Sequence, residues 1–165
     1  MSNQPYVQRS WSPKGQPLAL QTPPHRQRAT LFGALHSRTQ RFYWKRAAQG
    51  TARAFIAFLH QLHQVFANAL IVLIVDNSRI HTSKRVDHFL KQHRWVILFR
   101  LPTYAPEYNP IERFWKWLKE TLYRGWAYRT VDQIIERIRK LIWHYHENRL
   151  VKPIRFQLEP YQNLL

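Results

Sequence analysis

The run Leu70-Ile-Val-Leu-Ile-Val75 constrains this chain more than any other feature. It has no polar face, so neither an amphipathic helix nor a half-solvated strand suits it. It is also far short of the roughly 18–20 apolar residues that a membrane-spanning helix needs. The run reads as a strand covered on both faces, the usual state in parallel sheets. Trp95–Leu101 (WVILFRL) reads as a second buried strand. Between them Thr82 opens a helix with Val86, Phe89 and Leu90 facing inward, which makes a strand-helix-strand unit.

The flanking segments extend this unit. Ala29–His36 and Gln40–Lys45 surround a Ser37-Arg38-Thr39 turn and predict a β-hairpin. Thr51 caps a helix whose Phe55, Ile56, Leu59, Leu62 and Phe66 keep the three/four spacing. Pro102–Pro110 is a proline-stiffened loop. Asn109 and Pro110 suit the cap and first turn of a helix running to about Tyr123, with Ile111, Phe114, Trp115, Leu118 and Leu122 as its apolar stripe. Thr130-x-x-Gln133 is a capping box that opens a last helix. Its apolar stripe is Val131, Ile134, Ile135, Ile138, Leu141, Ile142 and Tyr145. The order β-β-α-β-α-β-α-α predicts an α/β mixed sheet with flanking helices. Residues 1–28, rich in early prolines, form an irregular N-terminal segment with a short strand near Val7–Trp11. Residues 29–148 form the core, and 149–165 a loosely packed C-terminal tail.

Charge narrows the function. Twenty-six Lys and Arg against nine Asp and Glu give a formal net charge of +17. That imbalance exceeds what solubility requires and points to a polyanion, for which nucleic acid is the best candidate. An anionic membrane surface fits less well, because no helix is basic on one face and apolar on the other. The absence of cysteine excludes disulfides and thiolate zinc sites. With no signal-like N-terminus, a cytoplasmic protein without membrane attachment is expected. Residues 1–75 contain nine Lys and Arg and no acid at all; all nine acids lie from Asp76 onward. Any catalytic carboxylate in this chain must come from its second half.

Two acids stand out. Asp76 directly follows the apolar strand, and ligands of open α/β sheets sit at the carboxyl ends of strands. An Asp-Asn pair after a strand is equally ordinary turn chemistry. Glu112 is the third residue after the Asn109 cap, where a Glu often reaches back to the cap amide. It shares a helix face with Lys116, Lys119 and Tyr123. A carboxylate followed by two lysines can hold a metal while the ammonium groups hold phosphates. His60 and His63, three apart on a helix, lack a nearby acid or Cys and make a poor zinc pair. Lys84, Arg85, Arg113, Lys116, Lys119 and Arg124 are candidate phosphate contacts, each of which also suits plain solvation.

In combination these blocks are specific. An apolar strand ends in Asp76-Asn77-x-x-x-His81; thirty-five residues separate Asp76 from Glu112 in Pro106-Glu-Tyr-Asn-Pro-Ile-Glu112-Arg-Phe-Trp. Over roughly residues 7–148 the sequence resembles the DDE transposases of the mariner superfamily, particularly the bacterial insertion-sequence branch. Trp11-Ser-Pro-Lys-Gly15 resembles the segment after that family's first strand. The resemblance implies a ribonuclease H-like fold, with Asp76 as the second catalytic Asp and Glu112 as the terminal Glu. It implies Asn77, His81 and Asn109 as site neighbours, DNA as partner, and a nucleoid-associated bacterial location. It also implies two Mg²⁺ or Mn²⁺ ions that activate the attacking oxygen and stabilise the leaving one.

The sequence departs from that pattern at its start. The family's first catalytic Asp lies on a strand before the Trp11 segment, and no acid precedes Trp11 here. A first strand that is missing or incomplete is therefore expected, and with it a chain that is inactive alone. Two origins fit: a decayed remnant, or a chain whose missing part comes from an upstream-encoded transposase segment; a homodimer is also left open. The rival expectation is a non-catalytic, basic nucleic-acid-binding remnant.

Overall fold

A computed structural model describes residues 1–3, 14, 24–102, 109–124 and 127–147. Its elements are β1 (Thr30–Leu35), β2 (Phe42–Ala47), α1 (Ala52–Val65), β3 (Ile71–Val75), α2 (Lys84–Gln92), β4 (Val96–Arg100), α3 (Pro110–Tyr123) and α4 (Val131–His146). This is the expected order. The strand near Val7–Trp11, most of the 102–110 loop and the tail from residue 151 lie outside the described residues. The chain divides into two compact units. One holds Thr30–Arg113; the other joins Met1–Ala29 to Phe114–Pro153.

In the Thr30–Arg113 unit, β1 and β2 pair antiparallel from Thr30↔Ala47 to Leu35↔Phe42. Their loop closes with Gln40 in the left-handed region (φ 56°), and the second strand starts at Phe42. Thr51 caps α1 by accepting the Ala54 N–H at 3.2 Å. α1 buries Phe55, Phe58, Leu59 and Leu62. Those side chains join Phe32 and Ala34 of β1, Val75 and Val96 of β3 and β4, and Val86 and Phe89 of α2 in one apolar cluster. β3 and β4 run parallel, from Ile71↔Val96 to Val75↔Arg100. A Cβ on Gly50 would lie 3.3 Å from Ile80 and 3.5 Å from Thr30, so the start of β1 and the turn that follows β3 both border Gly50.

Three points go beyond the expected element order. First, the described strands pair as two two-stranded ribbons, β1-β2 and β3-β4, within the expected α/β class. Among the described residues β1 and β3 each keep one edge without a ladder partner. Second, β3 is not covered on both faces. Ile71, Leu73 and Val75 turn to the core, whereas Val72 and its cross-strand partner Ile97 are 41% and 49% exposed. Side chains alternate along a strand, so one apolar run serves two faces whether or not both are covered. Third, α2 opens at Lys84 with Ser83, not Thr82, as its cap. Thr82 is drawn into the preceding turn, where its N–H and hydroxyl both donate to the Ser78 carbonyl at 3.2 Å.

The other unit rests on α4, whose seven stripe residues are all buried. Its Thr130–Gln133 capping box forms as expected. Phe114 meets Tyr145 edge to face at 5.2 Å, and Leu118 and Leu122 are fully buried along α3. Asn3, only 1% exposed, donates to the carbonyls of His25 (2.8 Å) and Arg129 (3.2 Å) and accepts the Gln27 N–H (2.8 Å). The Gln27 side chain accepts from Val131 N–H at 2.9 Å. The side-chain oxygen and nitrogen of the buried Asn3 are thus both partnered, as a stable interior requires. No helix of the described residues is long and apolar enough to cross a membrane.

Tyr128 donates to the Leu122 carbonyl at 2.5 Å. Burial pushes its phenol up to about 12 from 10.0. A group whose folded value is raised stabilises the fold fully below its unfolded value and loses that contribution as pH climbs through the folded one. Thermal melts should therefore show stability falling between about pH 10 and 12. Tyr128→Phe should cost about 1 kcal/mol at neutral pH and make that alkaline decline shallower.

Candidate active site

β3 ends on Val75, which is 5% exposed, and the next residue is Asp76. The Leu101 N–H donates to the Val75 carbonyl at 2.9 Å, so the parallel ladder holds the strand to its last residue. Asp76 then leaves the sheet with its side chain 57% exposed. Its Oδ1 accepts the Ser78 N–H at 3.2 Å, which turns the chain back in an Asx turn. It also meets Nδ1 of His81 at 2.8 Å. The same nitrogen lies 3.1 Å from Ser78 Oγ and 3.2 Å from the Asp76 carbonyl. An ionised carboxylate only accepts, so Nδ1 of His81 carries the proton in this pair. The imidazole packs on Phe55 of α1 with ring centroids 4.5 Å apart. Asp76 Oδ2 has no hydrogen bond among the described residues.

A second layer holds this loop. Nη2 of Arg100, the residue paired with Val75, donates to the His81 carbonyl at 3.1 Å and to Asp87 Oδ1 at 2.5 Å. Asp87 stands in the first turn of α2. Ser78, Arg100, Asp87 and Phe55 were not singled out from the sequence. Ser78 had a signal, since a hydroxyl residue two after an Asp is common in Asx turns. Arg100 had none, because strand register is invisible without the fold.

Glu112 is exposed in the first turn of α3. Asn109, 8% exposed, starts that helix: its carbonyl accepts the Glu112 N–H at 3.0 Å and its side chain the Ile111 N–H at 3.4 Å. Among the described residues no hydrogen bond or ion pair reaches the Glu112 carboxylate, so it does not serve the cap. Asp76 and Glu112 lie in the same unit, and no described contact joins them. Asn77 is exposed beside Asp76, and Lys84, Arg85, Arg113, Lys116, Lys119 and Arg124 are all exposed. His63 stacks on Trp95 at 4.1 Å and His60 lies edge-on to Phe89 at 5.2 Å, so both pack as aromatics. Among the described residues no group of three His, Asp or Glu converges as a metal cage.

Comparison with known proteins gives this geometry a family. A family model described as DDE superfamily endonuclease matches residues 1–135. The chain is 30% identical over 136 residues to the "Insertion element IS630 uncharacterized 39 kDa protein" of Shigella sonnei, which covers 82% of this chain and 40% of that protein. It thus spans about two fifths of the curated relative it matches. Among solved structures, Mos1 transposase in its paired-end complex with the left transposon end aligns with a TM-score of 0.63 at 14% identity. That alignment covers 85% of this chain and 44% of the other. The catalytic core domain of BIV integrase aligns with a TM-score of 0.54 at 18% identity, covering 82% and 87%. At such identities the likeness is one of fold: the α/β, ribonuclease H-like class expected from the sequence.

An acid as exposed as Asp76 contributes little to the fold. Asp76→Asn should change the unfolding free energy by no more than about 0.5 kcal/mol, measured by denaturant melts. A loss well above that would make Asp76 a structural turn residue.

Proposed function

This chain belongs to the DDE superfamily of endonucleases, and we propose that it is a transposase catalytic domain that cuts and joins DNA, with Asp76 and Glu112 as two of its metal-holding carboxylates. The observation that carries this reading is the state of Asp76. One carboxylate oxygen is tied down by His81 and the Ser78 N–H, while the other has no hydrogen bond among the described residues, on a side chain 57% exposed at the carboxyl end of a parallel strand. That half-held, exposed carboxylate suits a hard divalent cation such as Mg²⁺ or Mn²⁺, which takes oxygen ligands and keeps several waters. Such a cation would supply charge to polarise the scissile phosphate and lower the pKa of an attacking water. The chain's own residues do the positioning. His81 fixes the plane of the Asp76 carboxylate, and α3 carries Glu112 with Lys116 and Lys119 on the following turns. Those lysines, with Lys84, Arg85, Arg113 and Arg124, are suited to phosphate oxygens.

The third carboxylate is not among residues 1–75, which hold no acid. In this reading an Asp carried on another segment completes the set. Among the described residues β1 and β3 each keep an edge without a ladder partner, and an open edge is a template for strand addition.

With an Asp-bearing strand supplied, Mg²⁺- or Mn²⁺-dependent nicking of duplex DNA is expected, falling to background in Asp76→Ala and in Glu112→Ala. Undiminished nicking in either variant overturns the assignment. DNA binding that is indifferent to both substitutions, with no nicking under any metal, is the outcome of a basic binding module without chemistry.

Binding itself gives a separate measure. If Lys84, Arg85, Arg113, Lys116, Lys119 and Arg124 all contact phosphates, log affinity against log salt should have a slope near −5 on duplex DNA. Each Ala substitution should make that slope shallower by about 1.

A further inference from the structure

Resting on the reading of Asp76 as a metal-holding acid, we propose that Arg100 is a positioning residue for it, acting through His81. The strand register places Arg100 opposite Val75, the residue before Asp76. From there one guanidinium nitrogen, Nη2, makes two bonds at once: 2.5 Å to Asp87 Oδ1 and 3.1 Å to the His81 carbonyl. Asp87 belongs to α2, and β4 carries Arg100, so the His81 backbone is pinned between two regular elements. The His81 ring is pinned separately by Phe55, at 4.5 Å. With backbone and ring both held, Nδ1 has one place to go, and that place is 2.8 Å from Asp76 Oδ1. The Asp76 carboxylate is thereby held through Oδ1, and Oδ2 has no hydrogen bond among the described residues.

Stability is a poor explanation for this arrangement. Arg100 and Asp87 are 37% and 44% exposed, and ion pairs so wet add little to folding. What the pair does provide is direction. Both bonds leave one charged nitrogen, so its anchoring by Asp87 fixes where the second bond is made. The chain of contacts runs Asp87, Arg100, His81, Asp76, and its last member is the group assigned to the cation. Groups behind a metal ligand orient it, and removing them lowers metal affinity although they never touch the ion.

The test uses the full chain carrying Arg100→Gln, Asp87→Asn or Arg100→Lys, with Asp76→Ala as the control. The first readout needs no metal: the long-range proton–nitrogen NMR spectrum of the His81 ring at fixed pH. The wild type is expected to show a single tautomer protonated at Nδ1. Arg100→Gln and Asp87→Asn should both convert it to a tautomer mixture, and Arg100→Lys should keep it, since one ammonium can reach both acceptors. The second readout is Mn²⁺ affinity from paramagnetic broadening. It should fall about tenfold in Arg100→Gln and in Asp87→Asn, and Arg100→Lys should recover most of it. An unchanged imidazole spectrum in both Arg100→Gln and Asp87→Asn overturns the role of Arg100, whatever the metal does. Broadening that persists in Asp76→Ala overturns instead the reading of Asp76 as a ligand, and the imidazole spectra then still decide whether Arg100 positions that carboxylate.

Discussion

The parallel ladder between β3 and β4 is the interaction on which the rest of the molecule depends. Its five residue pairs, from Ile71↔Val96 to Val75↔Arg100, decide where the apolar run stops and where the first acid of the chain begins. Because the ladder extends to the Leu101 N–H on the Val75 carbonyl, Asp76 emerges from a backbone that is held to its final peptide. The same register sets Arg100 beside the turn that follows. A slip of one residue would send both side chains to the opposite face.

Around that ladder the molecule separates two tasks. The apolar cluster of Phe32, Phe55, Phe58, Leu59, Leu62, Val86 and Phe89 supplies the burial that keeps β3 and β4 in place. The polar turn from Asp76 to His81 adds little burial and much geometry. Three groups converge on one carboxylate oxygen or on the nitrogen facing it, and a buried phenylalanine stops the imidazole from turning away. Reactive groups belong on such small, well-braced turns at the edge of a rigid scaffold, where they stay reachable from solvent.

Much of this was legible in the residues. The helix-strand order follows from the change of period along the chain, and the Thr130–Gln133 box and the α4 stripe fall where spacing puts them, because capping and amphipathicity are local. Asp76 and Glu112 were legible as a spaced pair of motifs. The limits are equally physical. An apolar run such as Leu70–Val75 shows that both faces tolerate burial; it does not show that both are covered, and Val72 is not. Thr82 and Ser83 are both good caps, and only the pull of the Ser78 carbonyl on Thr82 decides between them. Arg100 and Asp87 depend on register and helix placement, which are tertiary facts. The α/β class and the family were both open to reading, whereas the split of the strands into two ribbons was not.

The hydrogen bonds of Ser2, Asn3 and Gln27 have a consequence for the order in which the protein is made. They reach Tyr123, Arg129 and Val131 across 104 to 126 intervening positions. The Thr30–Arg113 unit draws only on nearer neighbours, with the turn at Asp76 closed by bonds that span five positions or fewer. On a ribosome, where domains fold as they emerge, that unit takes shape while the opening residues still wait. Their bonds to Tyr123, Arg129 and Val131 form only once those residues have been synthesised, so Ser2, Asn3 and Gln27 are among the later residues to settle.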